Sequence, residues 1–314
     1  METGGFGLEY WLQWQVLVCA LIFLLPALIS IRFITTKNNT PTTNSYHLWM
    51  PYWRNLHPIW LLLYRVFSFI SMAYLLYQTV VGFGPFVFYF YTQWTFLLVT
   101  IYFALGTFIS AHGCWMLYKE HSLPIPNQER DKFLKKDSSP VEDSMMKDNE
   151  ASIKLQMQFN QEAGFWGNLM QNIYQTCAGA VVLTDIVFWC LLLPFQTGDD
   201  FKLTLLIGCM HSVNAVFLLM DSALNSLQFS WHGLTYFVLW SSTYIVFQWV
   251  MNACCFTRWP YPFLELATPW APMWYFGIAL FHLPCYGLYL LLVKAKVSMF
   301  PRSFIRAVAN EKQM

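Results

Sequence analysis

The chain has 314 residues, 57% of them hydrophobic, 19% aromatic and only 11% charged, against about 25% charged in a soluble domain. Lysine and arginine nearly balance aspartate and glutamate, for a net charge of +1, so there is no basic excess to bind nucleic acid. A surface this poor in charge excludes a soluble globule and excludes disorder over most of the length, which leaves an integral membrane protein.

In chain order, seven apolar segments are long enough to span a bilayer: 11–33, 58–80, 86–111, 173–195, 203–222, 232–256 and 270–294. A span needs about 20 residues at a rise of 1.5 Å each. In lipid the backbone must satisfy its own hydrogen bonds, so each segment is predicted to be a helix. The expected fold is an all-α multi-pass transmembrane bundle. It divides into an N-terminal helix with its following loop (1–57), a six-helix membrane core (58–293) and a basic tail (294–314). The flank METGGFGLEYWLQWQ carries Glu2 and Glu9 but no lysine or arginine, unlike a cleavable signal peptide. Between the third and fourth spans, residues 119–161 are rich in Pro, Ser and mixed charge, the composition of a solvated loop. That loop reads as a linker, or as a protein-partner or phosphorylation segment around Ser138 and Ser139.

Lysine and arginine set the orientation. With loops numbered alternately, one side receives Arg32, Lys37, Arg54, the seven cations of 119–154 and the tail's Lys294, Lys296, Arg302, Arg306 and Lys312. The other side receives Lys202 and Arg258. This bias predicts an N-terminus outside and a C-terminus in the cytosol, in the endoplasmic reticulum or plasma membrane. Glycan on the sequon at Asn38 would contradict it. Tyr10, Trp11, Trp14, Trp53, Trp60, Trp115, Trp259, Trp270 and Trp274 crowd the span ends, as amphipathic rings do at the headgroup level. The eight cysteines form no CxxC pair and lie mostly in apolar runs, where they behave as small hydrophobes. The adjacent Cys254 and Cys255 are candidates for acylation.

Ionisable and polar groups inside spans are functional candidates by default. From the outer ends, Thr95 lies about 13 Å deep, His211 and Gln248 about 12 Å, Asp185 about 15 Å and His282 about 18 Å, at 1.5 Å per residue. Hydroxyl, imidazole and carboxylate in one layer point to a nucleophile, its base and an orienting acid. The other reading is interhelical hydrogen bonding. His211 and His282 lack a third close ligand, so no metal site is expected. No GxSxG elbow, HExxH pair or Gly-rich phosphate loop occurs, and no cofactor is implied. Nearer the cytosolic side, Arg65 either snorkels to headgroups or pairs with Asp221.

The run CMHSVNAVFLLMDSALN (209–225), followed by RWPYPFLEL (258–266), resembles the androgen-induced protein family, multi-pass membrane hydrolases of fatty-acid esters of hydroxy fatty acids. The likeness covers about 58–293. The whole chain also resembles the rolling-stone-like membrane proteins. The first resemblance implies hydrolysis of a lipid or fatty-acyl ester, with His211 as the catalytic histidine. The family's catalytic threonine follows a tryptophan; an ungapped match to WTFLLVT (94–100) puts Leu98 there. Thr95 lies one turn earlier on nearly the same face, and Thr100 two residues later, so Thr95 is the favoured nucleophile. Asp185 or Gln248 would orient the imidazole, with Gln248 and His282 facing the substrate. The competing expectation is a non-catalytic rolling-stone-like scaffold or adhesion factor. A transporter, third, would need inverted repeats or broken helices, and only Pro194 and Pro284 interrupt spans near the layer.

Overall fold

The computed structural model describes residues 7–36, 44–53, 55–122, 162–195 and 204–300. Asn38, Ser138, Ser139, Lys202, almost all of the 119–161 loop and the tail beyond Phe300 lie outside the described residues.

Among the described residues the regular elements are all helical. A short α1 (Leu8–Trp11) precedes α2 (Trp14–Thr36), and α3 (Ser45–Trp49) precedes α4 (Pro58–Phe83). A 3-10 turn (Pro85–Tyr89) leads into α5 (Tyr91–Ser122). Next, α6 (Phe165–Ile186) runs on through a π-helical segment (Val187–Leu192). The fifth span is broken into α7 (Leu205–Met210) and α8 (Val213–Leu224), followed by α9 (Leu234–Cys254) and α10 (Ala271–Met299). The expected all-α bundle is therefore present, and α10 carries Lys294 and Lys296 as helix residues rather than tail.

Among the described residues, six stretches are long and apolar enough to cross a membrane: α2, α4, α5, α6 with its π segment, α7 with α8, and α10. Leu21, Leu24, Leu25 and Leu28 on α2, Leu63, Phe67 and Ile70 on α4, and Leu280, Leu283 and Leu291 on α10 point outward. Rows of exposed large apolar side chains along several helices of a bundle are surface made for lipid. The chain is an integral membrane protein. The remaining expected span, α9, has 21 residues, or about 31 Å at 1.5 Å each, but is not among these six, and it carries Gln248 and Asn252 in its second half.

The polarity of α9 has a local cause at the end of the bundle that carries residues 84–90 and 255–270, here the distal end. Gly84 has φ 77° and Pro85 follows, a conformation glycine adopts without strain, so α4 stops there. The chain then makes a 3-10 turn, and α5 starts at Tyr91 instead of near 86. That turn leaves carbonyls that no helix satisfies. Tyr244 Oη and Gln248 Nε2 both donate to the Tyr89 carbonyl, at 2.9 and 2.6 Å, and Asn252 Nδ2 donates to Tyr89 Oη at 2.9 Å. Ser241, Tyr244, Gln248 and Asn252 recur every three or four residues, so they share one face of α9. Gln248 thus braces the turn.

Close approach of α6 and α9 relies on missing side chains. A Cβ on Gly179 would sit 2.4 Å from the Phe237 ring, and one on Gly233 would sit 2.1 Å from Gln175 Oε1. Small residues let membrane helices pack backbone to backbone.

At the opposite, proximal end lies a buried ion pair. Arg65 and Asp221 are both 0% exposed, with Nε to Oδ1 at 3.0 Å. Arg65 Nη1 also donates to Leu48 O and Ser110 Oγ, at 2.8 and 2.7 Å. Asp221 Oδ2 accepts from Tyr102 Oη at 2.5 Å and Asn225 Nδ2 at 2.7 Å. Of the two sequence-based readings for Arg65, the structure takes the pairing. Lys296 Nζ closes the C-terminus of α8 by donating to Ser222 O and Asn225 O, at 2.5 and 3.0 Å, where a cation also meets the negative end of the helix dipole.

Candidate functional site

Of the polar residues foreseen as one layer, His211 and His282 each anchor a separate centre in the distal half of the bundle. The first is built around His211, which ends α7. In an unbroken helix the His211 carbonyl would bond the Ala215 N–H. Instead Asn214 Oδ1 takes that N–H at 2.8 Å, a side chain competing with the helix ladder. The freed carbonyl accepts from Trp189 Nε1 at 2.9 Å. The neighbouring Phe188 lies flat on the imidazole, with centroids 3.5 Å apart and planes 2° from parallel. The π segment of α6 therefore holds both ring and carbonyl of His211. One edge of His211 lines a cavity of about 410 Å³ with Thr79, Thr92 and Gln93. His211 Nδ1 has no hydrogen-bond partner, and neither has Gln93 Oε1.

Among the described residues no hydroxyl is bonded to that imidazole. Thr95 is fully buried, packs beside Tyr91 one turn back on α5, and makes no hydrogen bond to His211. Thr100 Oγ1 donates to its own helix at Phe96 O, 2.8 Å. Asp185 lies beside Asn214 rather than the ring. Gln248 is occupied by the 3-10 turn. Thr95, Thr100, Asp185 and Gln248 are thus not gathered at His211.

The second centre is at His282 on α10. Its Nδ1 is 2.8 Å from Ile278 O and its Nε2 is 2.8 Å from Ser241 Oγ on α9. Ser241 Oγ is in turn 2.8 Å from Tyr91 Oη at the start of α5. Proton positions follow from the chemistry. A carbonyl only accepts, so Nδ1 carries the proton and Nε2 presents its lone pair. Ser241 then donates to Nε2, and Tyr91 donates to Ser241. The relay Tyr91 → Ser241 → His282 → Ile278 carbonyl is the arrangement of an activated nucleophile: hydroxyl on base, base held by a third group.

Two apolar cavities of about 90 and 80 Å³ meet at this relay, and both are lined by Ser241, His282, Ile245, Leu264 and Ile278. The first is walled by Val187, Phe188, Leu191 and Leu192 of the π segment. The second is walled by Phe23 and Pro26 of α2. Helix irregularities thus collect around the relay, as π segments often do at functional sites. Thr92, Phe188, Leu192 and Tyr261 line both the His211 cavity and the larger of these two, so the two centres share a wall. Thr95 lines none of the three cavities.

Ser241 and Tyr91 are the residues that sequence reasoning missed. The available signal was His282 itself, an imidazole deep in a span that needs a partner, with Ser241 and Ser242 among the few hydroxyls on the preceding helix. Among the described residues no three His, Cys, Asp or Glu side chains gather as a metal site. Searches against family models, curated proteins and solved structures return no match for the chain.

Proposed function

We propose that this chain is a membrane-embedded hydrolase of neutral fatty-acyl esters, with Ser241 as nucleophile and His282 as base and then acid. The observation that carries the reading is the 2.8 Å hydrogen bond from Ser241 Oγ to His282 Nε2, set between two apolar cavities. Ser241 Oγ would attack the ester carbonyl as its proton passes to Nε2. The Ile278 carbonyl, on Nδ1–H, holds the ring and stabilises the imidazolium that forms. Tyr91 Oη is placed to turn its hydrogen bond from Ser241 to the oxyanion. His282 would then protonate the departing alkoxide, and a water activated by the same nitrogen would release the acid. The likeness to the androgen-induced family supports the reaction class. It points to His211 as the histidine, with Thr95 as its partner on depth and helix face, whereas hydrogen-bond geometry favours Ser241 and His282.

The test is covalent. A long-chain alkyl fluorophosphonate should form a Ser241 Oγ–P bond with loss of fluoride, the serine proton going to His282. Peptide mass spectrometry should find the adduct on Ser241 and lose it in His282→Ala. An adduct on Thr95 would move the chemistry to the other pair. No adduct and no ester hydrolysis by folded protein would leave the non-catalytic scaffold.

The orientation belongs to the same reading. With α9 crossing as well, for seven spans in all, the Lys and Arg bias argues for an N-terminus outside and a C-terminus in the cytosol. Terminal tags should be reached by protease from opposite faces of sealed membrane vesicles. Both tags on one face, or glycan on Asn38, would refute the topology.

A further inference from the structure

The His211 cavity has properties that the ester chemistry leaves unused. At about 410 Å³ it lies within the size range of ligand pockets, roughly 300–1,000 Å³. Its walls are aromatic and aliphatic, including Phe83, Phe86, Phe90 and Met210, and among the described residues no Asp, Glu, Lys or Arg lines it. Two polar side chains stand in this wall with unfilled hydrogen-bonding capacity, Gln93 and His211, each more than nine-tenths buried. A buried carboxamide oxygen or imidazole nitrogen without a partner is destabilising by about 1–3 kcal/mol, and such orphans in a ligand-sized cavity mark where a ligand's polar atoms sit.

We propose that this cavity binds an uncharged lipid bearing a single hydroxyl head, of the long-chain alcohol class, with the hydroxyl between Gln93 and His211 and the chain along the phenylalanine wall. A hydroxyl both donates and accepts, so it fills the carboxamide and the imidazole at once. An ester only accepts. A carboxylate would bring a charge into an apolar cavity whose described walls offer no cation to pair with it, which is strongly unfavourable. The Phe188 ring stacked on His211 keeps the imidazole from turning away to another partner. The site goes beyond the ester hydrolysis proposed above and does not require it, although the shared wall of Thr92, Phe188, Leu192 and Tyr261 would bring an alcohol bound here next to the Ser241 centre.

The test uses full-length protein in detergent and a hexadecanol carrying a diazirine in its chain. Irradiation should label residues of the phenylalanine wall. Unlabelled hexadecanol should compete at least tenfold better than hexadecanoic acid, methyl hexadecanoate or hexadecane. Gln93→Leu and His211→Leu should each weaken labelling about tenfold, with thermal unfolding measured in parallel. Ser241→Ala should label like the unchanged protein, which separates this site from the hydrolase reading. Equal competition by the acid, ester or alkane would overturn the proposal. So would undiminished labelling of the folded Gln93→Leu, His211→Leu double variant. If that variant does not fold, the competition series on unchanged protein decides alone.

Discussion

Replacing Ser241 by alanine is expected to lower hydrolysis of a neutral long-chain ester by purified protein about 10³-fold, and His282→Ala to do the same. A positioned general base contributes about 10²–10⁴-fold. A hydroxyl without its base, or a base without its hydroxyl, retains little of that rate. The decisive variant is the double one. Residues that act as a unit are strongly non-additive in catalysis, so Ser241→Ala with His282→Ala should be no slower than either alone. Two independent packing lesions would instead multiply their effects. Tyr91→Phe removes the oxyanion donor while keeping the ring against Tyr244, whose centroid is 4.9 Å away. It should lower kcat by about 10²-fold with little change in KM. Thr95→Val, which lines none of the cavities, should stay near the unchanged rate. The proposal fails if folded Ser241→Ala protein keeps its activity, or if Thr95→Val and His211→Ala lose theirs while Ser241→Ala does not.

The reason sequence reading chose Thr95 and His211 over Ser241 and His282 is geometric. Span positions follow from apolar runs of about 20 residues, and all seven of the expected segments coincide with helical stretches. Depth along a helix follows from the 1.5 Å rise, so a polar layer in one half of the bundle was readable. Which residues of that layer meet depends on rotation about each helix axis. One residue turns the side chain by about 100°, and local irregularities set that rotation. Three of these lie at the site. The Gly84–Pro85 stop shifts the start of α5 to Tyr91 and puts its hydroxyl beside Ser241. The π segment of α6 changes which side chains face His211. The break after Met210 reorients His211 itself. Ser241 was also hidden by its ordinariness, because serine in a span usually bonds its own helix. Here it does not, and its partners lie on α5 and α10. Gln248 was visible as a polar outlier in α9, but its purpose was not, since the Tyr89 carbonyl it satisfies belongs to a turn that apolar periodicity cannot reveal.

The largest expected effect on stability lies at the other end of the molecule. Asp221→Leu should destabilise the fold by about 3–5 kcal/mol, because it strands the Arg65 guanidinium as an uncompensated charge at a position with no solvent access. Tyr102 and Asn225 lose their acceptor in the same stroke. For a chain of this size such a loss corresponds to a fall in Tm on the order of 10 °C. Arg65→Met should be comparably harmful by stranding the carboxylate. Combining Arg65→Met with Asp221→Leu removes both charges, and the double variant should recover much of the loss from either single one. Replacing a buried pair with apolar side chains of similar volume is often near neutral, although the orphaned Ser110 and Tyr102 hydroxyls hold the recovery short of complete. Thermal unfolding of the four proteins in one detergent reads the cycle, and additive losses would show that the ion pair does not couple the two residues. The network sits at the proximal end, tying α4, α5 and α8 to the Leu48 carbonyl of α3. The Ser241–His282 relay joins α5, α9 and α10. The single charge variants should therefore hydrolyse ester at the unchanged rate at temperatures where they stay folded. A loss of rate there, without unfolding, would reveal coupling along α5, the one helix that contributes to both.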